Sequence, residues 1–581
     1  MNRLVRRCLA WVPGLLGTLG AVGAWRAQLA CGPAPETLGL GAGAVLGLGG
    51  LLLWALAWWG MGLALGLPTR AGRQSAQVGA GAWSMAWLWP LVQRVHLPPP
   101  QNVPERPLQI LLAGALFLGL ALALALFLRT LLRAGALAHL SPRSAALRLG
   151  GLAWVLYLLG SLWTWRWLMT GDAPHYMLIS AALAKEGSLD LSHLYYKKEW
   201  RRYYDLKKDL EPSAIPLRNG RMISEHRPLL PLLGAQGYRW GGFAGALWIQ
   251  TLLGGLGTGL FYLLLRQRGM APRMALIGWS LLALSAPWIL YSQIFIIEVL
   301  GGVLAVLWLL AWEGAVPEAW AWLVPMALPW LGTRLVVAGA GASLAWAWAW
   351  RKQPWKAVRV GAFFALSAMG TSLSNKLQMG DASLQAFYNA RGTGLSYYFS
   401  LVNAPRYLSG LLIDQEFGLL PWAPALLLAA AGLGLWVRRR DSMVLPLLAW
   451  ALPYLGLISC FNWWYGDMAP ARYLIPLVPL AALLAVEGFE ALEPLAWPWI
   501  LLGLGWVLAW VLEVLPWFCF SKKQGECWPL RLLGSALGLR LTSYFPSFII
   551  NTPQSYLWSL GLVLAAARLA WHPALPRSTP H

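Results

Sequence analysis

Apolar runs long enough to cross about 30 Å of hydrocarbon recur along the whole chain. From residue 149 onward they predict spans at 149–168, 243–265, 274–290, 295–312, 319–332, 335–350, 357–374, 419–437, 443–460, 473–488, 496–516 and 556–571. Pro325 and Pro329 interrupt 319–332, which reads as a broken or re-entrant span. Before residue 149 there are clear runs at 9–27, 38–67 and 108–128, and a short Trp-rich run at 78–92. The first run looks superficially like a signal peptide, but without a convincing cleavage site it reads as a retained helix.

The polar stretches between the runs are of two kinds. Short basic loops stand at 266–273 (RQRGMAPR), 351–359 (RKQPWKAVR) and 438–441 (RRRD), and they predict cytoplasmic positions. Long segments at 169–242, 375–418 and 517–555 then fall outside. The basic stretch 129–148 belongs inside, which requires 78–92 to be a fourth early span and gives about sixteen in all. The alternative for 78–92 is an interfacial helix. The architecture expected is all-α and polytopic, with its elaborate loops on the extracytoplasmic face; a β-barrel would show short alternating segments instead.

Composition agrees. The 581 residues are 58% hydrophobic and 12% charged, with mean hydropathy +0.55. The net charge of +22 would suggest nucleic acid in a soluble chain, but here the basic residues sit in short loops between apolar runs, so no nucleic-acid partner is expected. The five cysteines form no CxxC or Cys/His cluster. Cys519 and Cys527 share one outer segment, either as a disulfide or as two thiols. Most of the 39 Trp residues read as interfacial anchors and packing residues. No G-x-x-x-x-G-K-[ST] loop points to a soluble nucleotide substrate.

Candidate chemistry gathers on the outer side. Asp172 follows the span 149–168 in GDAPHYMLIS, with His175 and Tyr176 behind it. After Pro174 the run has helical periodicity up to Gly187, which predicts an interfacial helix with Asp172 at its N-terminus, a position where Asp commonly caps. Glu225, His226 and Arg227 precede an apolar run in SEHRPLLPLLG. Glu298 stands inside YSQIFIIEVL and Arg334 between two apolar halves in PWLGTRLVV; ionisable residues within spans are functional candidates. Asp414 and Glu416 lie in LLIDQEFGLLPWAP, and Trp463, Trp464, Tyr465, Asp467 and Arg472 in FNWWYGDMAPARYLIPLVP.

These motifs, in this order over roughly 149–490, resemble the integral-membrane glycosyltransferases of the GT-C fold, among them the protein mannosyltransferases and the aminoarabinose lipid A transferases, and most nearly their uncharacterised bacterial members. The resemblance implies a catalytic module at 149–490, flanked by an N-terminal membrane extension, 1–148, and C-terminal helices with an outer loop, 491–581. It implies a bacterial inner-membrane enzyme with an extracytoplasmic site, a polyprenyl-phosphate-linked sugar donor, and a glycan, lipid or protein acceptor. The acid of its first outer loop, the catalytic base, corresponds to Asp172. Many relatives carry a second acid beside it, where this chain has Ala173. A divalent metal would then need Glu225 or Asp467, or no cofactor is used.

The chemistry suits the residues. A lipid phosphate leaves as a stable anion, so one base for the acceptor hydroxyl suffices, unlike the carboxylate pair of glycoside hydrolysis. Burial is expected to raise the Asp172 pKa and improve it as a base. Guanidinium groups suit the departing phosphate, and Arg227, Arg334 and Arg472 are the candidates. His175, Tyr176, Glu225, His226, Glu298, Trp463, Tyr465 and Asp467 complete the expected substrate contacts. Two other classes fit part of the pattern: a transporter or flippase of lipid-linked sugars, disfavoured by the lack of a convincing internal repeat, and an oligosaccharide ligase or polymerase.

Overall fold

The computed structural model describes residues 137, 139–204, 209–217, 219–383, 386–392, 395–466, 468–514 and 525–571. The four early runs, Asp467 and Cys519 lie outside these residues. The chain divides into two compact units, Met1–Arg148 with Ser535–Leu539, and Leu149–Gly534 with Arg540–His581. Everything below concerns the second.

The fold is helical. Its main helices are α1 (Pro142–Leu168), α2 (Ala173–Glu186), α3 (Leu229–Gln267), α4 (Pro272–Ala283), α5 (Ala286–Tyr291), α6 (Ile297–Trp312), α7 (Trp320–Leu331), α8 (Val336–Ala349), α9 (Pro354–Met379), α10 (Ala404–Ile413), α11 (Ala429–Arg439), α12 (Val444–Ser459), α13 (Val478–Leu492), α14 (Trp497–Val514) and α15 (Pro553–Ala570). Among the described residues the only named strands are β1 (Ala214–Pro216) and β2 (Met222–Ser224), an antiparallel pair with Ile215 opposite Ile223. Among the described residues, four helical stretches are long and apolar enough to cross a membrane: Pro142–Leu162, Leu229–Gln267, Pro354–Met379 and Arg472–Leu492. Shorter apolar helices accompany them at Ile297–Trp312, Trp320–Leu331, Val444–Ser459 and Trp497–Glu513. Exposed apolar faces, such as Leu366, Met369, Leu373 and Leu377 on α9 and Leu557, Leu560 and Leu564 on α15, suit contact with lipid. These features mark a membrane protein.

Every predicted run from residue 149 carries helix, but the ends differ for physical reasons. The run at 243 begins as expected, because Gly242, with φ 60° and ψ −142°, lies outside helical values and breaks α3 into two helices there. The first of the two, from Leu229, was not expected; its Pro231 falls in the first turn, where a missing N–H costs nothing. The run 274–290 divides into α4 and α5 at Leu284 and Ser285, before Pro287. The run 419–437 divides into Leu419–Trp422, the 3₁₀ turn Pro424–Leu428 and α11. Prolines at 325 and 329 do not break α7, which runs unbroken from Trp320 to Leu331.

The helix after Asp172 also departs from expectation. All ten residues from Ala173 to Ala182 are buried, so α2 is an interior helix packed on α3 rather than one lying on a membrane surface. Ser180 Oγ donates to the Pro231 carbonyl at 3.1 Å across that contact. Close crossings of small residues hold the rest. A Cβ on Gly432 of α11 would lie 1.9 Å from the Leu484 carbonyl of α13, so only glycine fits there.

Candidate active site

Asp172 owes its position to the turn between α1 and α2. Gly171 adopts φ +58°, a left-handed conformation that favours glycine, and reverses the chain directly before Asp172. Asp172 occupies the N-cap position of α2, yet its side chain makes no capping hydrogen bond. Its carboxylate turns instead to Arg472, whose Nη2 donates to Oδ2 at 2.6 Å. The capping alternative is therefore not what this side chain does.

Arg472 opens the 3₁₀ turn Arg472–Leu477, which leads into α13. Its Nε donates to Glu298 Oε1 at 3.0 Å, and Arg334 Nη2 reaches the same oxygen at 3.4 Å. Glu298 stands in the first turn of α6, and Arg334 in the 3₁₀ turn Thr333–Leu335 between α7 and α8. Two carboxylates and two guanidiniums thus form one chain, Asp172–Arg472–Glu298–Arg334. Its inner members, Arg472 and Glu298, are 3% and 2% exposed. Arg334 Cζ stands 3.9 Å from the centre of the Tyr473 ring, a cation–π contact. Arg334 Nη1 and Glu298 Oε2 are buried with no hydrogen-bond partner among the described residues.

Burial alone would raise the Asp172 carboxyl, but Arg472, then His226 and Arg334, hold it well below the usual carboxylate range. The expected upward shift is thus reversed: a neighbouring cation outweighs desolvation.

A second wall comes from the segment after β2. Ser213 Oγ donates to Glu225 Oε1, and His226 Nε2 lies 3.9 Å from the same oxygen. Burial, and then the Asp172 charge, push Glu225 up to about 7. Burial lowers His226 to about 4, so at neutral pH the imidazole is neutral and its contact with Glu225 is no ion pair. Behind it the His226 ring packs on Tyr176 with centroids 4.4 Å apart, and on His175 at 5.9 Å. His175 Nδ1 meets Tyr195 Oη at 2.8 Å, and Tyr195 Oη accepts the Ser213 N–H at 3.3 Å. Tyr195 thus links His175 of α2 to Ser213 beside the β-hairpin. Arg227 Nη1 donates to Asn375 Oδ1 of α9 at 2.6 Å.

The two walls enclose a cavity of about 460 Å³, within the usual range for small-molecule sites. Of the expected residues, Asp172, Tyr176, Glu225, His226, Arg227, Arg334 and Trp463 border it. His175, Glu298 and Arg472 stand behind, supporting those that do. Tyr465 packs against Phe417 and Trp464 and does not border it. Asp467 falls outside the described residues.

The cavity also contains residues the sequence reading missed: Asn375 and Gln378 at the end of α9, then Tyr388, Arg391 and Tyr398. Rings of Tyr397 and Tyr398 approach Trp463 with centroids 5.1 and 5.3 Å away, forming an aromatic side to the chamber. Arg391 stacks on Phe387, its guanidinium 4.6 Å from the ring centre. Tyr388, Arg391 and Tyr398 lie in polar chain with no apolar run to set them off, whereas Asn375 and Gln378 directly follow the run 357–374, a signal the reading did not use.

Asp414 and Glu416 serve elsewhere. Asp414 accepts from the backbone N–H groups of Glu416, Phe417 and Phe548, and Glu416 from Gly525. They fasten Gly525 and Phe548 to the turn after α10. Cys527 is a free, buried thiol; its possible partner Cys519 lies outside the described residues. Among the described residues, no three or more His, Cys, Asp or Glu side chains come together as a metal-binding group. No protein-family model, curated protein or solved structure matches the chain.

Proposed function

We propose that the protein is a membrane glycosyltransferase that moves a sugar from a polyprenyl-phosphate donor to a hydroxyl acceptor at the extracytoplasmic face of a bacterial inner membrane, within a fold of about sixteen spans. One observation carries the reading: a cavity at the ends of apolar helices is bordered by two carboxylates, Asp172 and Glu225, and by a guanidinium, Arg334, one nitrogen of which has no partner among the described residues. Such a set can take a proton from a hydroxyl and hold a departing phosphate. The aromatic side formed by Tyr397, Tyr398 and Trp463 offers flat apolar faces against which a sugar ring can lie.

Each part of the transfer then has a group to serve it. The acceptor oxygen attacks the anomeric carbon as its proton passes to a carboxylate. The bond from that carbon to the phosphate oxygen breaks, and the lipid phosphate leaves with the electron pair, held by Arg334. The lipid tail stays beside the apolar helices throughout, which accounts for a polar site at their ends. The test is direct: the full chain in liposomes, given polyprenyl-phosphate sugars and envelope acceptors, should release lipid phosphate and form a glycosylated product. Translocation of the intact donor across the bilayer, with no product, would favour the flippase reading.

A further inference from the structure

The cavity offers two carboxylates to a reaction that needs one base, and their surroundings are not equivalent. Asp172 belongs to the electroneutral chain of two carboxylates and two guanidiniums. A proton on Asp172 would leave two guanidiniums facing one carboxylate, around an Arg472 that is 3% exposed. An uncompensated buried charge is among the costliest changes a protein interior can suffer. Asp172 is thus held as an anion by structure it cannot leave.

Glu225 carries no such obligation. Its described contacts are the Ser213 hydroxyl and the neutral His226 ring, and no arginine or lysine pairs with it among the described residues. The groups whose charge reaches it are Asp172, Arg391 and Arg334, with the neutral His226 ring and the neutral phenols Tyr195 and Tyr388 beside them. The nearby Asp172 anion favours a proton on Glu225 and disfavours a second negative charge. Taking up a proton relieves Glu225, whereas it would unbalance Asp172.

The geometry points to Glu225 as the residue that accepts the hydroxyl proton, with Asp172 as the fixed anion that positions Arg472 and sets the basicity of Glu225. This division of labour rests on the transfer reading above. In the step, the Glu225 carboxylate takes the acceptor's proton as the new C–O bond forms and the sugar–phosphate bond breaks; solvent then reclaims that proton. A pKa of about 7 suits the task, because a base is most effective near the pH at which it works.

The experiment compares Glu225→Gln with Asp172→Asn in the full chain, using both transfer assays and an infrared titration of protonated carboxyl groups. Gln still accepts the Ser213 hydrogen bond, so Glu225→Gln should fold and bind donor with unchanged Kd. Its turnover should fall roughly a hundredfold or more, and the acidic limb of its rate profile near pH 7 should vanish. The infrared signal of a carboxyl titrating near pH 7 should be lost in Glu225→Gln; in Asp172→Asn it should persist but move to lower pH, because the anion that helps to raise it is gone. A Glu225→Gln protein with wild-type turnover overturns the assignment. So does an infrared titration near pH 7 that Glu225→Gln leaves intact, a result that stands even if no lipid-linked sugar is transferred. A wild-type protein that transfers nothing while showing the Glu225 titration overturns the transferase reading alone.

Discussion

Two buried arginines organise charge at opposite ends of α6, and they do it differently. At the start of the helix Arg472 joins Asp172 to Glu298, and Arg334 completes the chain. Just past its end, fifteen residues on and about 22 Å away at 1.5 Å per residue, Glu313 meets Arg268 at 2.8 Å. Arg268 also holds Asp441 at 2.6 Å, with Glu487 3.9 Å away, and lies 4.4 Å from the Trp436 ring centre. That cluster puts three carboxylates around one guanidinium, with Arg439 near Glu487 at 3.6 Å, and none of these residues borders the cavity. The first cluster has Asp172 and Arg334 on the cavity, with Arg334 Nη1 and Glu298 Oε2 lacking partners among the described residues; the second also leaves one atom so, Arg268 Nε, but away from the cavity. Both clusters are ionic and largely buried, so burial of charge does not by itself mark a site. Incomplete pairing next to an open volume separates the first from the second, which ties α3, α6, α11 and α13 together.

The sharpest way to break this comparison is to remove each hub. Arg472→Met strands Asp172 and Glu298 and should cost about 3–5 kcal/mol, enough to lower the melting temperature severely and abolish transfer. Arg268→Met should cost less, because Glu313 and Asp441 keep about a fifth of their surface in contact with solvent. The Arg268→Met protein that does fold should transfer sugar at the wild-type rate. Thermal unfolding in detergent, with activity per folded molecule, checks both. Equal loss of specific activity in the two variants would erase the distinction.

Arg334 sharpens the comparison at a smaller scale. Its unpartnered nitrogen predicts that Arg334→Ala loses one charge-assisted contact to the donor phosphate, on the order of 1.5–3 kcal/mol in kcat/KM. Arg334→Lys should recover little, because an ammonium cannot reproduce the planar fork. An alanine variant with wild-type donor kinetics would mean that the phosphate binds elsewhere, with Arg227 and Arg391 the next candidates on the cavity wall.

How much of this could be read from the chain alone follows from contrast. Glu298, Arg334 and Arg472 stand out because each interrupts or borders an apolar run, and Asp172 and Glu225 because each precedes one. Helix existence was legible for the same reason, through the apolar runs. Helix ends were legible only in part: the break at Gly242 puts a helix start at 243 as expected, but the preceding helix from Leu229 was not foreseen, and Arg472–Leu477 is a 3₁₀ turn rather than part of α13. Arg391, Tyr388 and Tyr398 needed tertiary structure to be found, since polar residues in polar segments have no background against which to show; Asn375, directly after the run 357–374, carried the same contrast as Glu298 and was passed over. The pKa of Asp172 was misread for a related reason. Burial can be guessed from a sequence, but the partner 300 residues away that reverses its effect cannot.

Ser213 gives the smallest effect and the finest test. Its hydroxyl donates to Glu225 Oε1, and a donor stabilises the ionised form of a carboxyl. Ser213→Ala should therefore make Glu225 still harder to ionise and move the acidic limb of the rate profile upward, by about a tenfold change in proton concentration. The sign for stability follows by linkage. A carboxyl raised on folding from about 4.3 to about 7 stabilises the fold fully below its unfolded value, and that contribution is lost as pH rises through its folded value. Asp172, held low, works the other way: its contribution is present above about pH 4 and lost on acidification. Between pH 5 and 8 the melting temperature of the wild-type protein should thus carry a falling component from Glu225, which Ser213→Ala extends to higher pH and Glu225→Gln removes. A Ser213→Ala profile that superimposes on the wild type in both rate and melting would show that this hydroxyl does not engage Glu225.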